Sequence, residues 1–320
     1  MIHLRRRELL LVGASASFVS PVLATDPIKL VVPYPAGGPA DIVGRTFARY
    51  FAEESGRPVV IDNRAGASGS IGANAVSKAL PDGTMLLFNP SIHVILPSLQ
   101  DKLPYNAISD FTHLGVTVGV PLLLVVNNNV PAQTVRELVQ YAKRQPAGLF
   151  YATSSQGSSS HLAGEQFKLE TGIKLGQVPY KGSAPAIADL IGGQVQMMFD
   201  SLPSILPFVK SGRLRALAVT TPARSPLVPE VPTMEEAGFA GFRHTNWYGV
   251  WGPPGLAPDV TATLVRDIQK TLARPDLRRR MIELGAEQID GVVGEKFKEF
   301  AISEMARYAR LIKETGVKLD

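Results

Sequence analysis

No cysteine occurs in the 320 residues. Disulfides, thiolate metal sites and cysteine nucleophiles are excluded, while the compartment stays open, because an exported chain needs no cysteine. Charge is also sparse. Only 19% of residues are Asp, Glu, Lys or Arg, which argues against long disordered tails. Nor is there a large excess of one sign. The formal charge is +5, and Arg5, Arg6, Arg7 and Glu8 lie in a segment expected to be removed, which leaves 30 basic and 27 acidic residues. Apart from Arg278, Arg279 and Arg280 the basic residues are scattered, with no basic stripe and no interleaved aromatics, so nucleic acid is not an expected partner. A mildly positive surface favours collection of anionic solutes. The five histidines show no metal-ligand spacing, and no metal or cofactor is expected. Beyond the N-terminus no apolar run is long enough to span a bilayer.

Apolar residues, by contrast, make up 45% of the chain, enough for one large or two medium domains with a substantial core. Residues 1–24 read as a cleavable signal peptide. Arg5, Arg6 and Arg7 form its basic start, an apolar stretch diluted by Gly and Ser covers 9–22, and Val22-Leu23-Ala24 presents small residues to a signal peptidase. The mature protein is therefore expected to be soluble, periplasmic and monomeric, with the export route (general or twin-arginine) left open.

From Asp26 onward strands alternate with helices, the signature of an α/β fold with mostly parallel sheets. Strands are predicted over 28–32, 59–62, 85–88, 111–118, 122–127, 149–153, 174–179, 195–199, 214–220 and 247–251. Helices are predicted over 41–55, from the Gly66–Gly72 turn to about 79, and over 135–144, 161–170, 184–191 and 204–210, followed by a helical tail over about 259–313. Thr134 and Glu137 form a capping box at the start of the 135–144 helix. Two crossings into and out of a middle block divide the mature chain into a discontinuous first lobe, 25–124 plus 249–320, and a second lobe, 125–248, joined by a two-strand hinge.

Two strand–loop–helix units form a pair, one in each lobe. In the first, Tyr34, Pro35, Ala36, Gly37, Gly38, Pro39 and Ala40 lead to Asp41. In the second, Ser154, Ser155, Gln156, Gly157, Ser158, Ser159 and Ser160 lead to His161. Each places small residues and free backbone N–H groups at a helix N-terminus, where donors and dipole favour an anion. Asp41 is read either as an N-cap or as a ligand contact. Asn89 either offers amide hydrogen bonds or merely ends its strand, Tyr180 and Lys181 either give an acid a hydroxyl and a cation or form a solvated turn, and Asp200 at a strand end either binds a ligand amine or braces the loops. Gly66, Gly69 and Gly72 have the wrong spacing for a dinucleotide fingerprint and are read as an anion-facing or packing turn. Ser158, His161 and Asp200 can be drawn as a hydrolytic triad, but no G-x-S-x-G elbow accompanies them.

The stretches VVPYPAGGPADIVGR (31–45), VIDNRAGASGSIGANAVSKALPDGTMLLF (60–88), YATSSQGSSSHLAGEQFK (151–168), VPYKGSAPAIADLIGGQV (178–195), MMFDSLPSILPFVKSGRLRALAVT (197–220) and WYGVWGPPGLAP (247–258) together resemble the Bug family, the extracytoplasmic solute receptors of tripartite tricarboxylate transporters. The resemblance covers nearly all of the mature chain. It implies a two-lobed, Venus-flytrap periplasmic binding protein, not an enzyme, that grips a small carboxylic acid between the two loops and serves membrane transporter subunits. By position it places the ligand on Tyr34 to Asp41 and on Ser155 to His161, with secondary contacts at Asn89, Tyr180 and Asp200. Tyr34 stands where many members carry phenylalanine, and Gly255-Leu256-Ala257-Pro258 departs from the usual Gly-Thr-Pro turn. A ligand sensor for a two-component system and a periplasmic serine hydrolase are the rival readings.

Overall fold

The computed structural model describes residues 26–100 and 102–318. The signal peptide expected over 1–24 lies outside the described residues. The elements follow in the order β1 (Ile28–Val32), α1 (Pro39–Ser55), β2 (Val59–Asn63), α2 (Ser70–Ser77), β3 (Met85–Pro90), α3 (Ile92–Ile95), β4 (Thr112–Asn127), α4 (Val135–Lys143), β5 (Leu149–Thr153), α5 (Ser159–Thr171), β6 (Leu175–Pro179) and α6 (Ser183–Ile191). They continue with β7 (Met197–Ser201), α7 (Leu202–Lys210), β8 (Leu214–Val219), β9 (Thr245–Gly252), α8 (Pro258–Ala273), α9 (Pro275–Glu283), β10 (Glu287–Gln288) and α10 (Glu295–Thr315).

β1 shows how the sheet is buried. Ile28, Leu30 and Val32 join one apolar cluster and Val31 joins another on the opposite face. Alternation still operates, but helices cover both faces, so the strand reads as an almost unbroken apolar run. In α1, Val43, Phe47 and Phe51 recur at helical spacing on the buried side. Pro39 occupies its first turn, where the missing N–H loses nothing, and Gly56 ends it in the left-handed region at φ 65°.

The strands form one curled mixed sheet in the order β2-β1-β3-β9-β4-β7-β5-β6, with β8 and β10 also bonded to β4. β1 is parallel to β2 and β3, and β5 is parallel to β6 and β7. β9 is antiparallel to both β3 and β4. β4 joins the two halves. Its first part pairs with β9 as far as Pro121, opposite Thr245. From Leu122 it pairs with β7 and β8. The sequence predicts two strands here, 111–118 and 122–127, on either side of Gly119, Val120 and Pro121. The structure shows one 16-residue strand. Pro121 is tolerated because it lies where β4 exchanges one set of partners for the other. The hydroxyl of buried Thr220 holds the same crossing, accepting from Leu122 N at 3.1 Å and donating to His244 O at 2.5 Å.

The helical tail is not continuous. Extended backbone at Arg274 precedes α9, and β10 then pairs with β4 before α10 begins. The Gly66–Gly72 segment is a packing turn. A Cβ on Gly69, whose φ is +93°, would sit 2.8 Å from the Tyr34 hydroxyl, and one on Gly72 would sit 2.6 Å from Pro33. The Thr134 cap forms, with Oγ1 accepting from Glu137 N at 3.2 Å, but Glu137 Oε2 reaches one residue further back than a capping box requires, accepting from Gln133 N at 2.6 Å.

Candidate functional site

Four helices begin around one cavity of about 690 Å³, which lies between the two halves of the sheet. The first turn of α1 contributes Pro39 and Ala40, and that of α5 contributes Ser158 and Ser160. α6 adds Gly182 and Ser183, and α7 adds Ser201, Pro203 and Ser204. Each follows the C-terminal end of a strand, so the topology itself aims the four N-termini at a common space. Their first-turn N–H groups have no acceptor within the helix, and their dipoles present positive ends.

Among the residues singled out from sequence, Tyr34, Ala36, Gly37, Gly38, Ser155, Ser158 and Asp200 line this cavity. Asp41, Asn89, Gly157, Ser159, His161 and Tyr180 do not. Asp41 braces the first loop from behind. It accepts from Gly37 N at 2.9 Å, Arg45 Nε at 2.9 Å and Asn63 Nδ2 at 3.0 Å. Burial alone would raise its pKa, but these hydrogen bonds outweigh burial and hold the carboxyl below its ordinary value. Asn89 is buried and directs its amide to His93 Nδ1 at 3.3 Å. Tyr180 donates to Asp189 Oδ2 at 2.7 Å.

His161 holds the second loop by its ring, with Nδ1 accepting from Gly157 N at 3.0 Å. Burial lowers its pKa, and the residue borders a separate pocket of about 280 Å³ beside Glu165 and Lys168. Ser158 Oγ donates to Ser155 O at 2.7 Å and accepts from His161 N at 3.3 Å. The imidazole therefore engages neither Ser158 Oγ nor Asp200, and the serine–histidine relay of a hydrolase is not assembled.

Ser68 of the Gly66–Gly72 turn touches the second loop across the cleft, its Oγ donating to Gln156 O at 3.2 Å, and within its own half its carbonyl accepts from the Tyr34 hydroxyl at 3.2 Å. Asp200, at the end of β7, is almost fully buried. Its carboxylate accepts from Ser183 Oγ at 3.2 Å and Ser204 Oγ at 2.8 Å. Burial raises its pKa to about 6 in spite of those donors.

Ser154 of the second loop and Lys181 also line the cavity, and sequence reading passed over Ser183, Ser204, Arg213, Asn246 and Tyr248, all of which line it too. Ser183 and Ser204 carried the same signal as the two chosen loops, a small polar residue at a helix start after a strand. Asn246 and Tyr248 carried none. They reach the floor because β9 runs between the two halves, where Asn246 accepts from Ser91 Oγ at 3.2 Å and donates to Ser201 Oγ at 3.4 Å.

Comparison with known proteins gives a consistent picture. Residues 43–317 match the tripartite tricarboxylate transporter family receptor, TctC. The chain is 36% identical to protein BugT of Bordetella pertussis over 312 residues, covering 96% of this chain and 95% of BugT. Among solved structures, the periplasmic binding protein BugD superposes with a TM-score of 0.85 at 35% identity, over 91% of this chain and 98% of that one. The Rhodopseudomonas palustris protein Rpa4515 with adipate superposes with a TM-score of 0.87 at 35% identity, over the same shares.

Proposed function

The chain belongs to the tripartite tricarboxylate transporter receptor family, which makes it an extracytoplasmic binding receptor rather than an enzyme, and on that premise we propose that it captures a small carboxylated solute between its lobes for uptake. One observation carries this reading. The first turns of α1 and α5, one from each half of the molecule, face a single cavity with glycine, alanine and serine at the contact surface. A carboxylate between them meets backbone donors and the positive ends of two helices. Small side chains let it approach the main chain. The adipate in Rpa4515 is a ligand of the same chemistry.

The strands change partners at Pro121/Leu122 and at His244/Thr245, and we place the meeting of the lobes there, three and four residues before the boundaries expected at 124/125 and 248/249. A ligand touching both loops favours the closed arrangement, because only there does it make both sets of contacts. The loaded receptor then delivers its solute to the membrane components of a tripartite transporter. Ala36, Gly37, Gly38, Ser155 and Ser158 hold the carboxylate, while Asp41 and His161 keep the two loops in shape.

Native mass spectrometry of the purified protein, followed by thermal shifts against a panel of carboxylic acids, tests the proposal. A co-purifying acid or a saturable shift supports it. At a ligand concentration of about 100 times Kd the stabilisation is about 2.7 kcal/mol, enough to be read directly. Absence of a bound species together with no shift for any acid would sink the carboxylate reading.

A further inference from the structure

A hydrogen bond crosses the cleft between two residues that do not line the cavity. Ser68 lies in the turn between β2 and α2, and Gln156 in the loop between β5 and α5. Ser68 Oγ donates to the main-chain carbonyl of Gln156 at 3.2 Å. The bond therefore joins the two halves without touching what the cavity holds.

The turn fixes the position of that hydroxyl. Gly66, Ala67, Ser68 and Gly69 all have positive φ, at 136°, 44°, 53° and 93°. Glycine adopts such angles freely, whereas Ala67 and Ser68 adopt them at a cost. A conformation of that kind persists only where its surroundings impose it. Here Gly69 N donates to Gly66 O at 2.9 Å, and the Tyr34 hydroxyl donates to Ser68 O at 3.2 Å. Gly69 packs so close to Tyr34 that a Cβ on it would sit 2.8 Å from the hydroxyl. Tyr34 also lines the cavity, so one side chain both walls the ligand space and holds Ser68 in place.

We propose that Ser68 is a closure latch, a positioning residue that holds the two lobes together around any bound acid and sets how long the acid stays. The proposal rests on the closure of two lobes over a carboxylate and adds a contact that the ligand does not make. A residue touching the acid changes affinity by a factor that differs from one acid to the next. A latch outside the cavity stabilises the closed arrangement by one factor, shared by all of them. One net hydrogen bond is worth about fivefold. Its loss falls on dissociation, because the bond breaks before the cleft opens.

Stopped-flow kinetics of the purified protein with succinate, malate, adipate and glutamate test this, beside a distance measurement that needs no ligand. The chain has no cysteine. Arg49→Cys in α1 and Arg136→Cys in α4, both exposed, therefore carry a single pair of spin labels, one in each proposed lobe. In Ser68→Ala the dissociation rate of every acid that binds is expected to rise about fivefold, with the rank order of the acids unchanged. Pulsed dipolar spectroscopy is expected to show the interlobe distances of that variant shifted towards longer values. Ser68→Gly removes the same hydroxyl while suiting the left-handed backbone, so it is expected to match Ser68→Ala. Circular dichroism checks that both variants are folded. Uniformly faster dissociation in both variants supports the latch. Unchanged rates, a loss confined to one acid, or recovery by glycine overturns it while the carboxylate reading stands. If no acid binds, the carboxylate reading falls and the distances alone decide, an identical distribution in the parent and in Ser68→Ala overturning the latch.

Discussion

Asp200 is a buried carboxylate beside a space ringed by four helix N-termini. Its position follows from β7, which ends there, and its neighbours Ser183 and Ser204 hydrogen-bond to it without neutralising it. Burial raises its pKa from 3.8 to about 6. The folded protein therefore keeps this proton up to about pH 6, whereas the unfolded chain releases it near 3.8. Stability supplied by this group is present at low pH and is lost as pH rises through that window. Asp200→Asn removes the effect. Its thermal midpoint is expected to exceed that of the parent by several degrees at about pH 7 and to lose that advantage near pH 4. Differential scanning fluorimetry across that range decides it. A variant that is less stable at every pH would mean that the hydrogen-bonding role of Asp200 outweighs its buried charge.

At the scale of elements, the start of α1 separates binding from folding. Gly38 has φ −78° and ψ 170°, ordinary extended backbone. A Cβ there meets only Pro35 O, at 3.4 Å. Gly38→Val therefore fits the fold and puts bulk where the loop faces the cavity. It is expected to weaken acid binding by about tenfold or more, 1.4 kcal/mol upward, with an unchanged circular dichroism spectrum. Normal binding by that variant would remove the first loop from the site. Gly37 differs, because its φ of +78° strains any branched residue, so Gly37→Val is expected to lower stability as well. Thr134→Ala at the start of α4 is the converse case. It removes a cap away from the cavity and is expected to cost about 1 kcal/mol in urea unfolding with no change in ligand affinity.

At the scale of the whole molecule, four histidines are buried among the described residues and burial lowers the pKa of each, with large shifts at three of them. Burial lowers the pKa of His93 to about 3, His113 to about 4 and His244 to about 3. The unfolded chain takes up protons at these rings below about pH 6.5, while the folded protein refuses them until much lower pH, so stability falls as pH drops through that interval. Each ring contributes up to about 1.4 kcal/mol per pH unit. Asp200 opposes the trend between about pH 6 and 4, so the urea midpoint is expected to fall from pH 7 to pH 5 and to fall more steeply in Asp200→Asn. A midpoint independent of pH over that range would contradict the neutral burial of the three rings.

The alternation of strands and helices, the bounds of β1 and β5, the N-cap at Thr134 and the two loops that face the cavity were legible in the chain alone. Each is a local matter, set by side-chain period, turn residues and caps within a few positions. Tertiary structure decided the rest. It made β4 one strand across Pro121, because pairing with β9 on one side and β7 on the other outweighs a missing N–H. It turned the His161 ring onto Gly157 and away from the cleft. It also brought Ser183, Ser204, Arg213, Asn246 and Tyr248 to the same cavity as Gly38, residues whose proximity depends on strand order and register. Contacts such as Ser68 to Gln156, 88 positions apart, have no local signature, because no pattern within one segment records which other segment the folded sheet will place beside it.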